Sequence, residues 1–139
     1  MQFVLGIILA AFMFMTAPAQ AQDAQSVASA EAAAVSWLAL VDAGDYARSW
    51  DQAAGMFQGS ITRTDWVKAA ADVRSSLGRL ISRKVKSATF TRTLPGAPDG
   101  EYIVIQYDSQ FQHKPSAIET VTRLREQDGS WKVSGYFIR

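Results

Sequence analysis

Two carboxylates stand beside aromatic residues in a way that could serve acid–base chemistry: Asp51 after Trp50, and Asp108 after Tyr107. A catalytic carboxylate of the isomerase or dehydratase kind needs an apolar pocket to raise its pKa and a hydroxyl donor beside it. Tyr107 and Asp108 are neighbours in a strand-like run, and strand neighbours point to opposite faces, so they cannot share one side of a pocket. His113, the single histidine, falls in the turn segment His113-Lys114-Pro115-Ser116, without an Asp or Ser at triad-like reach; a solvated turn histidine is the plainer account. The chain has no cysteine, which excludes disulfides, thiolate metal ligands, a cysteine nucleophile and a lipidated N-terminal Cys. One histidine excludes a multi-His metal centre, and no EF-hand-like spacing of Asp and Glu occurs. No catalytic, cofactor-binding or metal residue is therefore nominated, and no cofactor is expected. Recognition remains, and its candidates are Arg123, Arg125, Lys132 and Tyr136, a basic set around a tyrosine near the C-terminus.

The elements that would position these residues follow from size and pattern. A chain of 139 residues with 48% hydrophobic and 19% charged residues has the composition of one globular domain with an ordinary core. The formal net charge of +1 supplies no field to draw in nucleic acid or an anionic membrane, and nucleic acid is not an expected partner. The charge is unevenly spread. Asp23–Gly78 carries four basic and seven acidic residues, whereas Arg79–Arg139 carries ten basic and six acidic ones. A mildly acidic first half facing a mildly basic second half favours their contact only weakly after screening.

Residues 1–21 read as an address. An apolar run from Phe3 to Met15 precedes Pro18 and the small-x-small triplet Ala19-Gln20-Ala21, the pattern of a secretory signal peptide cut after Ala21. The run is shorter than the ~20 apolar residues a comfortable membrane span needs. The n-region lacks Lys and Arg, so the competing account is an uncleaved N-terminal anchor. The expected product is a periplasmic or secreted domain of residues 22–139 with no stable membrane span.

Three helices are predicted before Leu80. Ser26–Asp42 carries a stripe at Ala30, Ala33, Ala34, Trp37, Leu38 and Val41, which is helical spacing. Gly44 provides a left-handed stop and Asp45 caps the second helix, whose Tyr46, Trp50, Ala53 and Phe57 share a face until Gly59-Ser60. Thr62, with Asp65 three residues on, opens the third, whose stripe is Trp66, Ala70, Val73 and Leu77, and Gly78 ends it. Three tryptophans thus fall one per helix. They could line a pocket, but such regular spacing favours large core pieces.

Four antiparallel strands are predicted after them. Ser82–Thr93 is β-branched and carries Arg83, Lys84, Lys86 and Arg92; it reads as an edge strand guarded by charge rather than an anion-binding patch. Leu94–Gly100 must be loop. Glu101–Phe111 places Ile103, Ile105, Tyr107 and Phe111 on one face. Asp128-Gly129 is the best hairpin signal. A two-residue turn there pairs Leu124 with Val133, Thr120 with Phe137, and Arg125 with Lys132, the last a like-charge pair unless the turn is longer. The face with Trp131, Val133, Phe137 and Leu124 is assigned to the helices. The face with Arg123, Arg125, Lys132 and Tyr136 is then left outside.

Three segments, Trp37–Ala54 (WLALVDAGDYARSWDQAA), Leu94–Phe111 (LPGAPDGEYIVIQYDSQF) and Glu119–Arg139 (ETVTRLREQDGSWKVSGYFIR), resemble domain-of-unknown-function family 4019, small exported bacterial proteins. The likeness spans nearly all of residues 22–139. It implies an envelope protein with helices packed on an antiparallel sheet, and it carries no catalytic residue to transfer. The order of elements is also similar to the cystatin-like or nuclear-transport-factor-2-like cone, an analogy of fold alone. The expected class is α+β. The expected function is a non-catalytic periplasmic binding or interaction module for an envelope protein or small ligand. The alternatives are a structural or regulatory homodimer and, third, a small acid–base enzyme with a pocket carboxylate.

Overall fold

The computed structural model describes residues 19–139, with side chains from Asp23 onward; the apolar run Phe3–Met15 and Pro18 lie outside the described residues. The first helix, α1 (Ala19–Asp42), includes the Ala19-Gln20-Ala21 triplet at its start. Alanine is the best helix former, and its small side chain lets the helix lie close to the sheet. Ala30, Ala34, Trp37, Leu38 and Val41 are all buried, as their spacing predicts. The segment Asp23–Asp42 is long and apolar enough to cross a membrane by length and composition, yet those buried residues make it a core helix here. It touches all four strands.

The second predicted helix is two short ones, so the described residues hold four helices where the sequence pattern predicts three. They are α2 (Tyr46–Asp51) and α3 (Gly55–Ser60), followed by α4 (Arg63–Leu77). The break at Gln52–Ala54 is held by tertiary contacts. The Ala54 N–H donates to the Val133 carbonyl at 2.8 Å, and Gln58 Nε2 donates to the Trp50 and Asp51 carbonyls. The last carbonyls of α2 thus find a partner without a continuing helix. The predicted caps form: Asp45 accepts from the Arg48 N–H and Thr62 from the Asp65 N–H. Gly44 (φ 78) and Gly78 (φ 73) take the left-handed conformation that stops α1 and α4.

The strands β1 (Leu80–Thr91), β2 (Tyr102–Phe111), β3 (Lys114–Arg125) and β4 (Trp131–Ile138) form an antiparallel sheet in the order β1-β2-β3-β4. The class is α+β, with α1 on one face. β1 is an edge strand, as its charge pattern predicts. The β2–β3 turn is shorter than expected: Phe111 pairs with Lys114, so Pro115 and Ser116 lie within β3. The Leu94–Gly100 loop packs on Tyr102 at one end of the outer face, where the Tyr102 hydroxyl donates to the Pro98 carbonyl at 2.6 Å.

The three tryptophans of the helical half are core pieces, and the indole N–H of each is satisfied. Trp37 donates to the Ser49 carbonyl, Trp66 to Ser49 Oγ, and Trp50 to the Ile61 carbonyl, each at 2.9 Å. Trp37 and Trp66 bracket the fully buried Ser49 from two helices. Trp37 also meets the Tyr136 ring edge-on at 5.2 Å between centroids, one of the favoured aromatic geometries.

The register of β3 and β4 differs from the predicted one near the turn. Thr120 does pair with Phe137, but Leu124 pairs with Lys132 and Arg125 with Trp131. A shift between Thr122 and Arg123 separates the two registers. The turn is longer than two residues: the Glu126 N–H donates to the Ser130 carbonyl and the Gly129 N–H to the Glu126 carbonyl. This bulge removes the like-charge pair and lets Val133 and Tyr136, three positions apart, both point toward the helices.

Candidate functional site

Pairing with β2 fixes which β3 side chains turn inward, Glu119 opposite Tyr107, Val121 opposite Ile105 and Arg123 opposite Ile103, and the bulge decides it for β4. Glu119, Val121 and Arg123 of β3 are buried on the helix side, together with Val133 and the partly buried Tyr136. Phe137 turns outward and is 54% exposed. The predicted outer set of Arg123, Arg125, Lys132 and Tyr136 is therefore not one surface. Arg123 and Tyr136 are inside. Lys132 is opposite Leu124 on the outer face, and Arg125 is exposed at the sheet's end, donating to Glu101 at 3.2 Å. Arg123 is inside because it lies opposite Ile103 of β2, and the extra residue of β4, Ser134, puts Tyr136 inside while leaving Lys132 outside.

What the inner face carries instead is a chain of paired charges. Glu119 is fully buried. Its carboxylate accepts from Arg83 Nε at 2.7 Å, from Arg83 NH2 at 3.1 Å, from Ser109 Oγ at 2.5 Å and from the Tyr136 hydroxyl. Arg83 also reaches α1, where its NH1 and NH2 donate to Asp42 at 2.8 and 3.0 Å. Asp42 in turn accepts from both terminal nitrogens of Arg74 on α4, each at 3.0 Å. Two guanidiniums and two carboxylates from α1, α4, β1 and β3 thus form one continuous network. Its members satisfy one another, which is the condition under which buried charges are tolerated.

The electrostatics follow from that geometry. Partial burial opposes the charge on Asp42, but the hydrogen bonds and charges of Arg83 and then Arg74 outweigh it and hold its pKa below the usual carboxylate value. Burial likewise opposes the Arg83 charge, and Asp42 and Glu119 more than restore it, so its pKa rises. Tyr136 is pushed up by burial and by the Glu119 charge. It stays a neutral donor, holding its proton toward Glu119.

Sequence reasoning did not single out this network. Arg83 reads as an edge-guarding charge, and Asp42, Arg74, Ser109 and Glu119 carry no motif. The available signal is the period-two run Glu119-Val121-Arg123, which places a glutamate and an arginine on the same face as a valine. Asp51 and Asp108, the carboxylates the sequence suggests, are exposed, and Asp51 pairs with Arg63 at 2.9 Å. His113 is exposed in the turn, as predicted. Among the described residues no cluster of His, Cys, Asp and Glu could hold a metal.

Arg123 is the opposite of Arg83. It is 3% exposed, NH2 donates to the Trp131 carbonyl, and Nε has no partner. Burial lowers its pKa to about 10, which leaves it charged at neutral pH. The Tyr107 hydroxyl on the same face is also buried without a partner, and burial raises its pKa.

Several openings reach this framework. Pockets of ≈ 470 and ≈ 340 Å³ both touch Asp42, one from the α4 side and one between α1 and β1. Glu119 lines neither. An apolar groove of ≈ 250 Å³ lies between α4 and β4, walled by Trp66, Ala70, Val73 and Phe137. A polar cleft of ≈ 390 Å³ lies at the opposite end, between the early turns of α1 and the ends of the strands.

An α+β domain with a self-paired interior network and open surface clefts is the class that this architecture defines. The family model described as "Protein of unknown function (DUF4019)" matches residues 33–136. The chain belongs to that family, and the match spans α2 to β3 whole, the C-terminal part of α1 and most of β4. No curated protein matches the chain.

Proposed function

We propose that the chain is a non-catalytic binding or interaction module of the bacterial envelope. The observation that carries this is the saturation of Glu119. The fully buried carboxylate accepts four hydrogen bonds, so it has no lone-pair direction left for a substrate proton. Glu119, Tyr136 and Asp42 are engaged with one another or with Arg83 and Arg74, while clefts of ligand size open elsewhere on the surface. Export is supported by the apolar run and small-residue triplet of residues 3–21. Thermal unfolding of residues 22–139 with fractionated envelope extract tests this: a partner-dependent rise in Tm is expected. No stabilising or retained component from any fraction sinks the reading, as does turnover of an envelope metabolite that Glu119→Gln abolishes.

A second reading, a homodimer, is favoured by the groove between α4 and β4. Val73 and Phe137 at its rim are 47% and 54% exposed, which leaves apolar surface beside the free edge of the terminal strand. Light scattering across a concentration series decides it. A strict monomer at high concentration removes the dimer, and Phe137→Glu dissociates one that forms.

A further inference from the structure

We infer that two copies of the chain join along the groove between α4 and β4, about a two-fold axis parallel to the groove, with Phe137 of each copy against Ala69 and Val73 of the other. This rests on the second reading, the homodimer, and gives it a geometry. The groove has one bank on α4, with Trp66, Ala69 and Val73, and one on β4, with Phe137 and Ile138. Arg74 also lines it, but both its terminal nitrogens already serve Asp42, so the surface on offer is apolar.

The groove and its rim complement each other across two copies. Val73 and Phe137 are large apolar side chains left about half in water on facing banks, and β4 is an end strand of the sheet. The opening of ≈ 250 Å³ exceeds the roughly 150 Å³ that takes a benzene ring. Phe137 forms one bank and so cannot fill the groove it borders. The Phe137 of a second copy can, and it covers Val73 in doing so.

Charge selects a second copy as the occupant and fixes the direction of the axis. On α4, Asp65 and Asp72 stand four residues before and three after Ala69 and are its neighbours on the helix surface; both are exposed, and Lys68 lies further round. On the other bank the exposed Arg139 follows Ile138. Among the described residues neither Asp72 nor Arg139 takes part in an ion pair. An isologous contact uses the same patch twice. With the axis along the groove, the acidic α4 flank of each copy meets the basic β4 flank of the other, at two equivalent places. With the axis across it, α4 would meet α4 and Asp72 would approach Asp72, which like charge disfavours.

Charge exchange in residues 22–139, read by sedimentation of the monomer–dimer equilibrium, tests the arrangement. Asp72→Arg and Arg139→Asp are each expected to weaken the dimer by about tenfold or more, and the two together to restore it with the pair reversed. Both side chains are exposed, so neither exchange disturbs the core. The chain has no cysteine, so cross-links report introduced thiols alone. Asp72→Cys mixed with Arg139→Cys is expected to give a disulfide-linked mixed dimer, which keeps one native pair, while neither variant alone cross-links. A dimer that Asp72→Cys links to itself, or that the double exchange does not restore, overturns this docking and leaves the homodimer standing. A strict monomer overturns both, and its stabilisation by envelope extract would give the groove to another partner.

Discussion

Arg83 and Arg123 are both arginines turned toward the helices from one sheet, and their surroundings are opposite. Arg83 sits between Asp42 and Glu119, with four hydrogen bonds to the two carboxylates. Arg123 has one backbone carbonyl and a free Nε. The first is part of a closed circuit that ties α1 and α4 to β1 and β3. The second is a charge held inside the protein with no acid to answer it. A completed pair contributes to the fold, whereas an uncompleted one costs stability.

The largest test of that contrast is Glu119→Ala. It leaves Arg83 facing a void and orphans the Ser109 and Tyr136 hydroxyls, so urea denaturation is expected to show a loss of about 3–5 kcal/mol. Tyr136→Phe removes one charge-assisted donor and keeps the ring against Trp37; the expected loss is about 1–3 kcal/mol by the same measurement. Arg123→Met goes the other way. It deletes an unpaired buried charge at similar volume, and stability is expected to hold or rise by about 1 kcal/mol. A loss as large as that of Glu119→Ala would mean that Arg123 is paired after all, and the contrast would collapse.

The smallest effect is in the acid limb of the stability curve. The folded pKa of Asp42 lies below its ordinary 3.8. Its contribution is therefore complete above that pH and is lost as pH falls through the folded value. Unfolding followed from about pH 5 down to pH 2 is expected to steepen below about pH 4, and Asp42→Asn is expected to flatten that limb. An unchanged slope in the variant would show that Asp42 is not what joins Arg74 to Arg83.

Much of the framework was legible because local chemistry carries it. Asp45 and Thr62 cap where capping residues should, Gly44 and Gly78 stop helices, and the Trp37 and Trp66 stripes are largely buried as spaced, the exposed Val73 being the exception. The split between α2 and α3 was not legible, because it depends on the Ala54 N–H finding a strand carbonyl nearly eighty positions away. The weak attraction expected between an acidic helical half and a basic sheet half turns out to be concentrated at one point, Asp42 against Arg83. Composition can announce such an attraction but not locate it.

The site was the least legible part. The residue types of the last hairpin were in view from the start, but their faces were not. Side-chain direction in a strand has a period of two, and the extra residue Ser134, opposite the Thr122–Arg123 step, puts Val133 and Tyr136 on one face of β4. The caps of α2 and α4, the stops of α1 and α4, the strand order and the aromatic core rest on contacts a few residues apart or on simple periodicity, and the sequence by itself determined them. Whether Glu119 and Arg123 face the helices depends on their pairing with Tyr107 and Ile103 of β2, and whether Tyr136 does depends on one extra residue in β4. Only the tertiary structure decided that, because the packing of Val133 and Tyr136 against Trp37 and its neighbours selects the bulged register.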